Sequence, residues 1–284
     1  MTEQMSVKIA ALPSLRLTVE AHGLLAKKAL GQNFLLDQNI TDKIINLSLQ
    51  KQNKKDFSGA NVFEVGPGPG GLTRAVLATE PNSLTVVEMD ERCIAIMNEI
   101  KEKTGDILHI INGDAMQTDF SDLAPAPRHI VSNLPYNISV PLLVGWLKNI
   151  NAYDSLTLMF QKEVAERITA PIKTKDYGRI SVLSQLQCRI DHLLDLNPCC
   201  FTPAPKIWSS VLLFRPLENT LTVEQIAKVE KLTTLAFGQR RKMIRQSLKS
   251  IAGLEEKCAR LNIPLTARAE ELTPQQFLAL ADEK

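Results

Sequence analysis

The chain has 284 residues, 44% of them hydrophobic, enough for one large domain plus a smaller one, and a net charge of only +2. Its five cysteines (Cys93, Cys188, Cys199, Cys200, Cys258) are odd in number and lack CxxC spacing. That argues against a disulfide scaffold or a zinc site and fits small apolar residues in a reducing compartment.

In chain order, the first 22 residues form an N-terminal extension in which Glu3 and Glu20 argue against a targeting peptide. No run reaches the roughly 18 apolar residues of a membrane span, so a cytoplasmic protein without membrane contact is expected. From residue 41 to 215, short apolar runs alternate with amphipathic ones. "NVFEV" (61–65), "LTVVE" (84–88), "ILHII" (107–111), "HIVS" (129–132), "SLTLMF" (155–160) and "SSVLLF" (209–214) read as strands. "GLTRAVLAT" (71–79) and "ERCIAIMNEIKEK" (91–103) read as helices, and "HLLDL" (192–196) is a further strand candidate. The alternation predicts an α/β fold, a mostly parallel Rossmann-like sheet with helices on both faces. After "RPLENT" the pattern becomes helical, including "TVEQIAKVEKLTTLAFG", "RRKMIRQSLKSI", "LEEKCARL" and "TPQQFLALA". Thr222 with Gln225 and Thr273 with Gln276 have capping-box spacing, while Gly238 and Gly253 sit where helices could end. The expected division is an extension over 1–22, a main domain over 23–217 and a small all-helical domain over 218–284.

The first strand runs into "EVGPGPGGLT" (64–73). Gly66, Gly68 and Gly71 satisfy GxGxxG, and Glu88 ends the next strand where a ribose-binding carboxylate belongs, so a nicotinamide oxidoreductase is the first hypothesis. Pro67 and Pro69 remove N–H donors that a pyrophosphate needs, and Glu64 brings negative charge. These features suit a cationic, phosphate-free ligand such as S-adenosylmethionine. Against this stands a Glu64 satisfied by local N–H groups. Asp114 follows the third strand and Asn133 ends the fourth, so four consecutive strand ends carry a polar group at one edge of the sheet.

"GQNFLLD" (31–37), "FEVGPGPGGLTRAV" (63–76), "VVEMD" (86–90), "GDAM" (113–116), "NLPYNIS" (133–139), "FQKEVAERI" (160–168), "YGRISVL" (177–183), "FTPAPK" (201–206) and "FGQRRKMIRQSLK" (237–249) occur in this order. With them the chain resembles the ribosomal RNA adenine dimethyltransferase family, in its small-subunit housekeeping branch. The resemblance implies a methyltransferase sheet, S-adenosylmethionine as methyl donor and no metal. It further implies transfer to the N6 atoms of two adjacent adenosines in small-subunit rRNA, by a monomer acting on an assembling ribosomal subunit. Asn133, with the Leu134 and Pro135 carbonyls, would accept hydrogen bonds from the adenine amino group, Tyr136 would stack on the extruded base, and Phe201 would form the second wall of its slot. Asn33 and Leu35 would close over the donor, Gly66 would lie beneath its amino acid, Glu88 would bind its ribose and Asp114 its adenine, with Glu64, Gly68 and Asn133 also at the donor site. Cys199 and Cys200 stand where small or polar residues are expected. A non-enzymatic relative acting as an assembly or transcription factor is the third reading, and the intact "NLPY" speaks against it.

Arg240, Arg241, Lys242, Arg245 and Lys249 form an acid-free basic run, expected to be helical and to meet phosphates, with Met243, Ile244 and Leu248 facing inward. Its bland alternative is a solvated face. Lys27, Lys28 and Arg179 are secondary RNA candidates.

Overall fold

Residues 4–24 and 33–282 are described by a computed structural model, so Lys27, Lys28 and the first two residues of "GQNFLLD" lie outside the described residues. In chain order the elements are α1 (Met5–Ala10), α2 (Leu15–Ala21), β1 (Phe34–Leu35), α3 (Gln38–Lys51), β2 (Asn61–Val65), α4 (Gly71–Leu77), β3 (Ser83–Glu88), α5 (Glu91–Thr104), β4 (Leu108–Asn112) and β5 (Arg128–Asn133). Then follow α6 (Tyr136–Lys148), β6 (Ser155–Gln161), α7 (Lys162–Thr169), α8 (Arg179–Gln187), β7 (Cys188–Leu196), β8 (Phe201–Thr202) and β9 (Ser209–Pro216). The C-terminal helices are α9 (Val223–Gly238), α10 (Ile244–Ser247), α11 (Leu254–Arg260) and α12 (Pro274–Asp282).

Seven strands form one sheet in the order β4-β3-β2-β5-β6-β9-β7. The pairs β2–β3, β3–β4, β2–β5 and β5–β6 are parallel, and β9 runs antiparallel to β6. Every residue of β2 and β3 is buried, the polar Asn61, Glu64, Ser83, Thr85 and Glu88 included, as in a sheet covered on both faces. Helix α5 shows the complementary pattern. Cys93, Ile96, Met97 and Ile100 bury one stripe, Asp90 caps the N-terminus through the Arg92 amide, and Gly105 ends the helix at φ 84°. From β2 the chain builds outward to β3 and β4, then returns to place β5 on the other side of β2. The order therefore reverses between β2 and β5, and the crevice for a ligand opens at the carboxyl ends of these strands.

Two compact units organise the packing. The first comprises Met1–Leu143, Ala152–Lys162 and Asp191–Arg215. The second comprises Val144–Asn151, Glu163–Ile190 and Pro216–Lys284, so it takes in two earlier segments besides the C-terminal helical stretch. Its core gathers Tyr177, Val229, Leu232, Ile244, Leu248 and Phe277. Both expected capping boxes form there: the Gln225 amide donates to Thr222 Oγ1 (3.2 Å), and the Gln276 amide to Thr273 Oγ1 (3.1 Å).

Three sequence expectations fail in this unit. The basic run is not one helix. Residues 239–243 turn, and only Ile244–Ser247 is helical, because the backbone there pairs across the unit: the Ile244 amide donates to the Ala267 carbonyl, and Met243 bridges Arg268. Ile244 and Leu248 are buried as expected, whereas Met243 is exposed. Gly253 does not end a helix but precedes α11 in a left-handed conformation, φ 64°.

Candidate active site

The polar strand ends meet in one cleft of about 700 Å³, lined by Gly66, Gly68, Glu88, Asp114 and Asn133, with Asn33, Leu134, Pro135 and Tyr136 completing the wall. A recess of about 30 Å³ adjoins it behind the glycine loop, lined by Leu35, Glu64 and, in common with the main cleft, Gly66, Gly68 and Asn133.

The glycine loop is shaped by backbone that other residues adopt only with strain. Gly66 has φ 64° and donates its amide to the Val87 carbonyl (2.9 Å). Gly68 has φ 55°, and a Cβ there would come within 2.8 Å of the Phe34 ring. Phe34 therefore lies directly on the loop.

Glu64 is 2% exposed and accepts a hydrogen bond from Thr73 Oγ1 at 2.7 Å. The partner is a side chain, not the backbone N–H groups of the bland expectation. Burial pushes its carboxyl up to about 8, with the Thr73 bond opposing and the Glu88 charge adding. Glu88 is also raised by burial, against hydrogen bonds from the Asp90, Met89 and Gly68 amides. Its Oε1 takes the Met89 amide at 2.7 Å and the Asp90 amide at 2.8 Å, which fixes the carboxylate at the cleft floor. Asp114 is oriented likewise, by the Met116 amide at 2.9 Å.

At the end of β5, Asn133 Nδ2 donates to the Asn33 carbonyl (3.2 Å), which leaves the side-chain oxygen to act as the acceptor. The Pro135 carbonyl already receives the Ile138 amide (3.1 Å) as α6 begins, so it is a poorer acceptor than the sequence suggests. Tyr136 is held by a 2.7 Å hydrogen bond between its hydroxyl and Ser209 Oγ, and burial raises its pKa, so it remains a neutral phenol. The structure does not bring Phe201 to the cleft wall. Its β8 pairs with β1, Phe201 opposite Leu35, and this pairing packs the ring into the core at 3% exposure.

Sequence reasoning missed Phe34, Met89 and Met116, which also line the cleft. Met89 and Met116 are 67% and 46% exposed, and each follows an acidic strand-end group by one or two residues. Apolar thioethers beside fixed carboxylates make flat, adaptable walls for a heterocycle. A large apolar residue next to a strand-end carboxylate was the available signal. Of the basic run, Arg241, Lys242, Arg245 and Lys249 are exposed. Arg240 is committed, to Glu270 Oε2 (2.8 Å) and the Thr174 carbonyl (2.8 Å).

Residues 23–284 match the family model described as ribosomal RNA adenine dimethylase. A ribosomal RNA small subunit methyltransferase A from Paramagnetospirillum magneticum is 45% identical over 273 residues, 96% of this chain and 95% of that protein. Another, from Allorhizobium ampelinum, is 47% identical over 95% of this chain and 97% of its own length. A solved dimethyladenosine transferase from Plasmodium falciparum superposes at TM-score 0.70 with 25% identity, covering 86% of this chain and 94% of that one. The 23S rRNA methyltransferase ErmE shares the fold at TM-score 0.65 with 23% identity, covering 88% and 98%.

Proposed function

Because this chain belongs to the ribosomal RNA adenine dimethylase family, we propose that it methylates the N6 amino groups of two adjacent adenosines in 16S rRNA, using S-adenosylmethionine. It acts as a monomer in the cytoplasm, on a small ribosomal subunit still being assembled. The observation that carries this reading is the convergence of Gly66, Glu88, Asp114 and Asn133 on one cleft, with the Asn133 side-chain oxygen left as an acceptor.

The residues present fit the donor. Glu88 offers a fixed carboxylate to a pair of ribose hydroxyls, and Asp114 one to an exocyclic amine. Met89 and Met116 flank a purine. Glu64, buried at a recess of ammonium size, faces the amino-acid end over Gly66 and Gly68, and Asn33 and Leu35 close the site from above. When bound, the donor supplies an electrophilic methyl group on a sulfonium.

The protein's task is the acceptor. An adenine amino nitrogen is a weak nucleophile because its lone pair is delocalised into the ring. Asn133 Oδ1 and the Leu134 carbonyl accept its two hydrogens, draw the nitrogen toward tetrahedral geometry and aim the lone pair into the cleft. Pro135 fixes the backbone that carries the Leu134 carbonyl. Tyr136 stacks on the base, worth on the order of 1–3 kcal/mol. Positioning accounts for much of the rate, and no strong base is required, since the product ammonium loses its proton to water. Arg241, Lys242, Arg245 and Lys249 in the 218–284 segment contact RNA phosphates.

Immature small subunits incubated with the protein and a labelled donor gain label at two adjacent adenosines, mapped by primer extension. Asn133→Ala abolishes transfer while donor affinity measured by calorimetry is largely kept. Turnover retained in that variant refutes the assigned role.

A further inference from the structure

The end of β6 and the start of β9 carry a second feature at the same edge of the sheet. Trp208 is 45% exposed and Ile207 beside it 38%, an unusual pair to leave in water. The backbone that carries the indole is fixed by the strand ladder, and Lys162 lies over its ring. The Trp208 carbonyl accepts the Lys162 amide at 2.9 Å, extending the β6–β9 ladder one step past Gln161 and Ser209. Lys162 Nζ stands 5.7 Å from the indole centroid and is itself anchored to Asp195 Oδ2 at 2.7 Å. Asp195 is fixed in turn by Ser210 Oγ and His192 Nε2, each at 2.7 Å. Burial alone would raise the Asp195 pKa, yet the Lys162, Ser210 and His192 bonds outweigh it and hold the carboxylate well below its ordinary range. Lys206, also exposed, adds a second positive charge nearby in sequence.

This platform is tied to the cleft wall through Ser209. Ser209, the neighbour of Trp208, bonds to Tyr136. Asn133 pairs with Met159 on β6, and Lys162 lies three residues farther along, about 10 Å outward at the spacing of a strand. From β5 to β9 is two strand spacings, again about 10 Å. A partly exposed indole with the Lys162 ammonium over its ring, on the same sheet edge as the cleft and about 14 Å from Asn133 by these two offsets, has the composition of a single-strand stacking site.

We propose that Trp208 stacks on an unpaired nucleobase next to the target adenosine, with the exposed Lys206 meeting the adjoining phosphate and Lys162, held by Asp195, backing the indole. The site fixes the register of the RNA strand over the cleft. This rests on the RNA-methylating reading above and assigns it a further binding residue.

The test uses the full-length protein with immature small subunits and, separately, protein-free 16S rRNA. Trp208→Ala weakens binding to both by about tenfold and raises KM for subunits similarly, with kcat and donor affinity unchanged. Trp208→Phe, which keeps an aromatic face, restores both to within about threefold. Binding by Trp208→Ala at wild-type affinity, or Phe no better than Ala, overturns the proposal. So does weakening confined to subunits, which would make the partner a ribosomal protein. Binding is measured without donor, so the two readings separate. Trp208-dependent RNA binding without methylation upholds the platform and sinks the enzymatic reading. Normal methylation by Trp208→Ala with unchanged KM does the reverse.

Discussion

Glu64→Gln probes the recess behind the glycine loop. The wild-type carboxyl ionises near its ordinary value of 4.5 in the unfolded chain and at about 8 in the native one. Between these two values the native state keeps a proton that the unfolded state has lost. The contribution of this group to stability therefore falls as pH rises from 4.5, and levels off above 8. At 1.36 kcal/mol per pH unit, the gap of about 3.5 units corresponds to about 5 kcal/mol above pH 8, and to about 3 kcal/mol at pH 7. Glutamine is neutral throughout and nearly the same shape, so it removes the penalty. In urea unfolding without ligand, the variant should lie within about 1 kcal/mol of wild type at pH 4.5–5, exceed it by about 3 kcal/mol at pH 7 and by about 5 kcal/mol at pH 8.5. All other titrating groups cancel in the difference. Donor affinity should move oppositely: it rises about tenfold per pH unit from 6 to 8 in wild type, as the ionised fraction grows, and stays flat and weaker in the variant. Equal stability differences at pH 5 and 8.5 would show that Glu64 is ionised in the folded protein and refute the argument.

Two further perturbations act at distinct places. Gly68→Ala forces a left-handed alanine and drives its methyl into the Phe34 ring, so calorimetry should show weakened donor binding, and urea unfolding a loss of about 2 kcal/mol; unchanged values would mean that the loop has another conformation. Replacing Arg241, Lys242 and Arg245 by Gln should lower the slope of log affinity for RNA against log salt by about 2–3, read from filter binding between 50 and 300 mM salt, and an unaltered slope would return these side chains to a merely solvated face.

The site was legible where chemistry sits at the end of a strong local pattern. Each of Gly66, Glu88, Asp114 and Asn133 follows an apolar run, and parallel strands must align their carboxyl ends, so local signals sufficed to predict convergence. Illegible were features set by pairing between distant segments. Nothing around "FLL" or "FTP" announces the β1–β8 ribbon, and that ribbon is what carries Phe201 into the core and leaves Phe34 over Gly68. The basic run has good helical composition, but backbone pairing with residues 265–268 overrides it. The same logic hid Trp208, whose exposure depends on where β6 stops and β9 starts.

The glycine loop favours a phosphate-free ligand over a dinucleotide, and it does so through its donors. A pyrophosphate needs backbone N–H groups turned toward it. Here Pro67 and Pro69 have none, the Gly66 amide serves the Val87 carbonyl, the Gly70 amide serves the Pro67 carbonyl at 3.0 Å, and the Gly68 amide bonds to the Glu88 carboxylate. From 66 to 70 every amide is already spent within the protein, and two carboxyl groups, Glu64 and Glu88, stand beside the loop. An incoming diphosphate would find no donors in that stretch, whereas a sulfonium and an ammonium would draw the proton off Glu64 and offset the burial that holds it there. GxGxxG spacing is thus preserved for its backbone shape, with its usual electrostatics inverted.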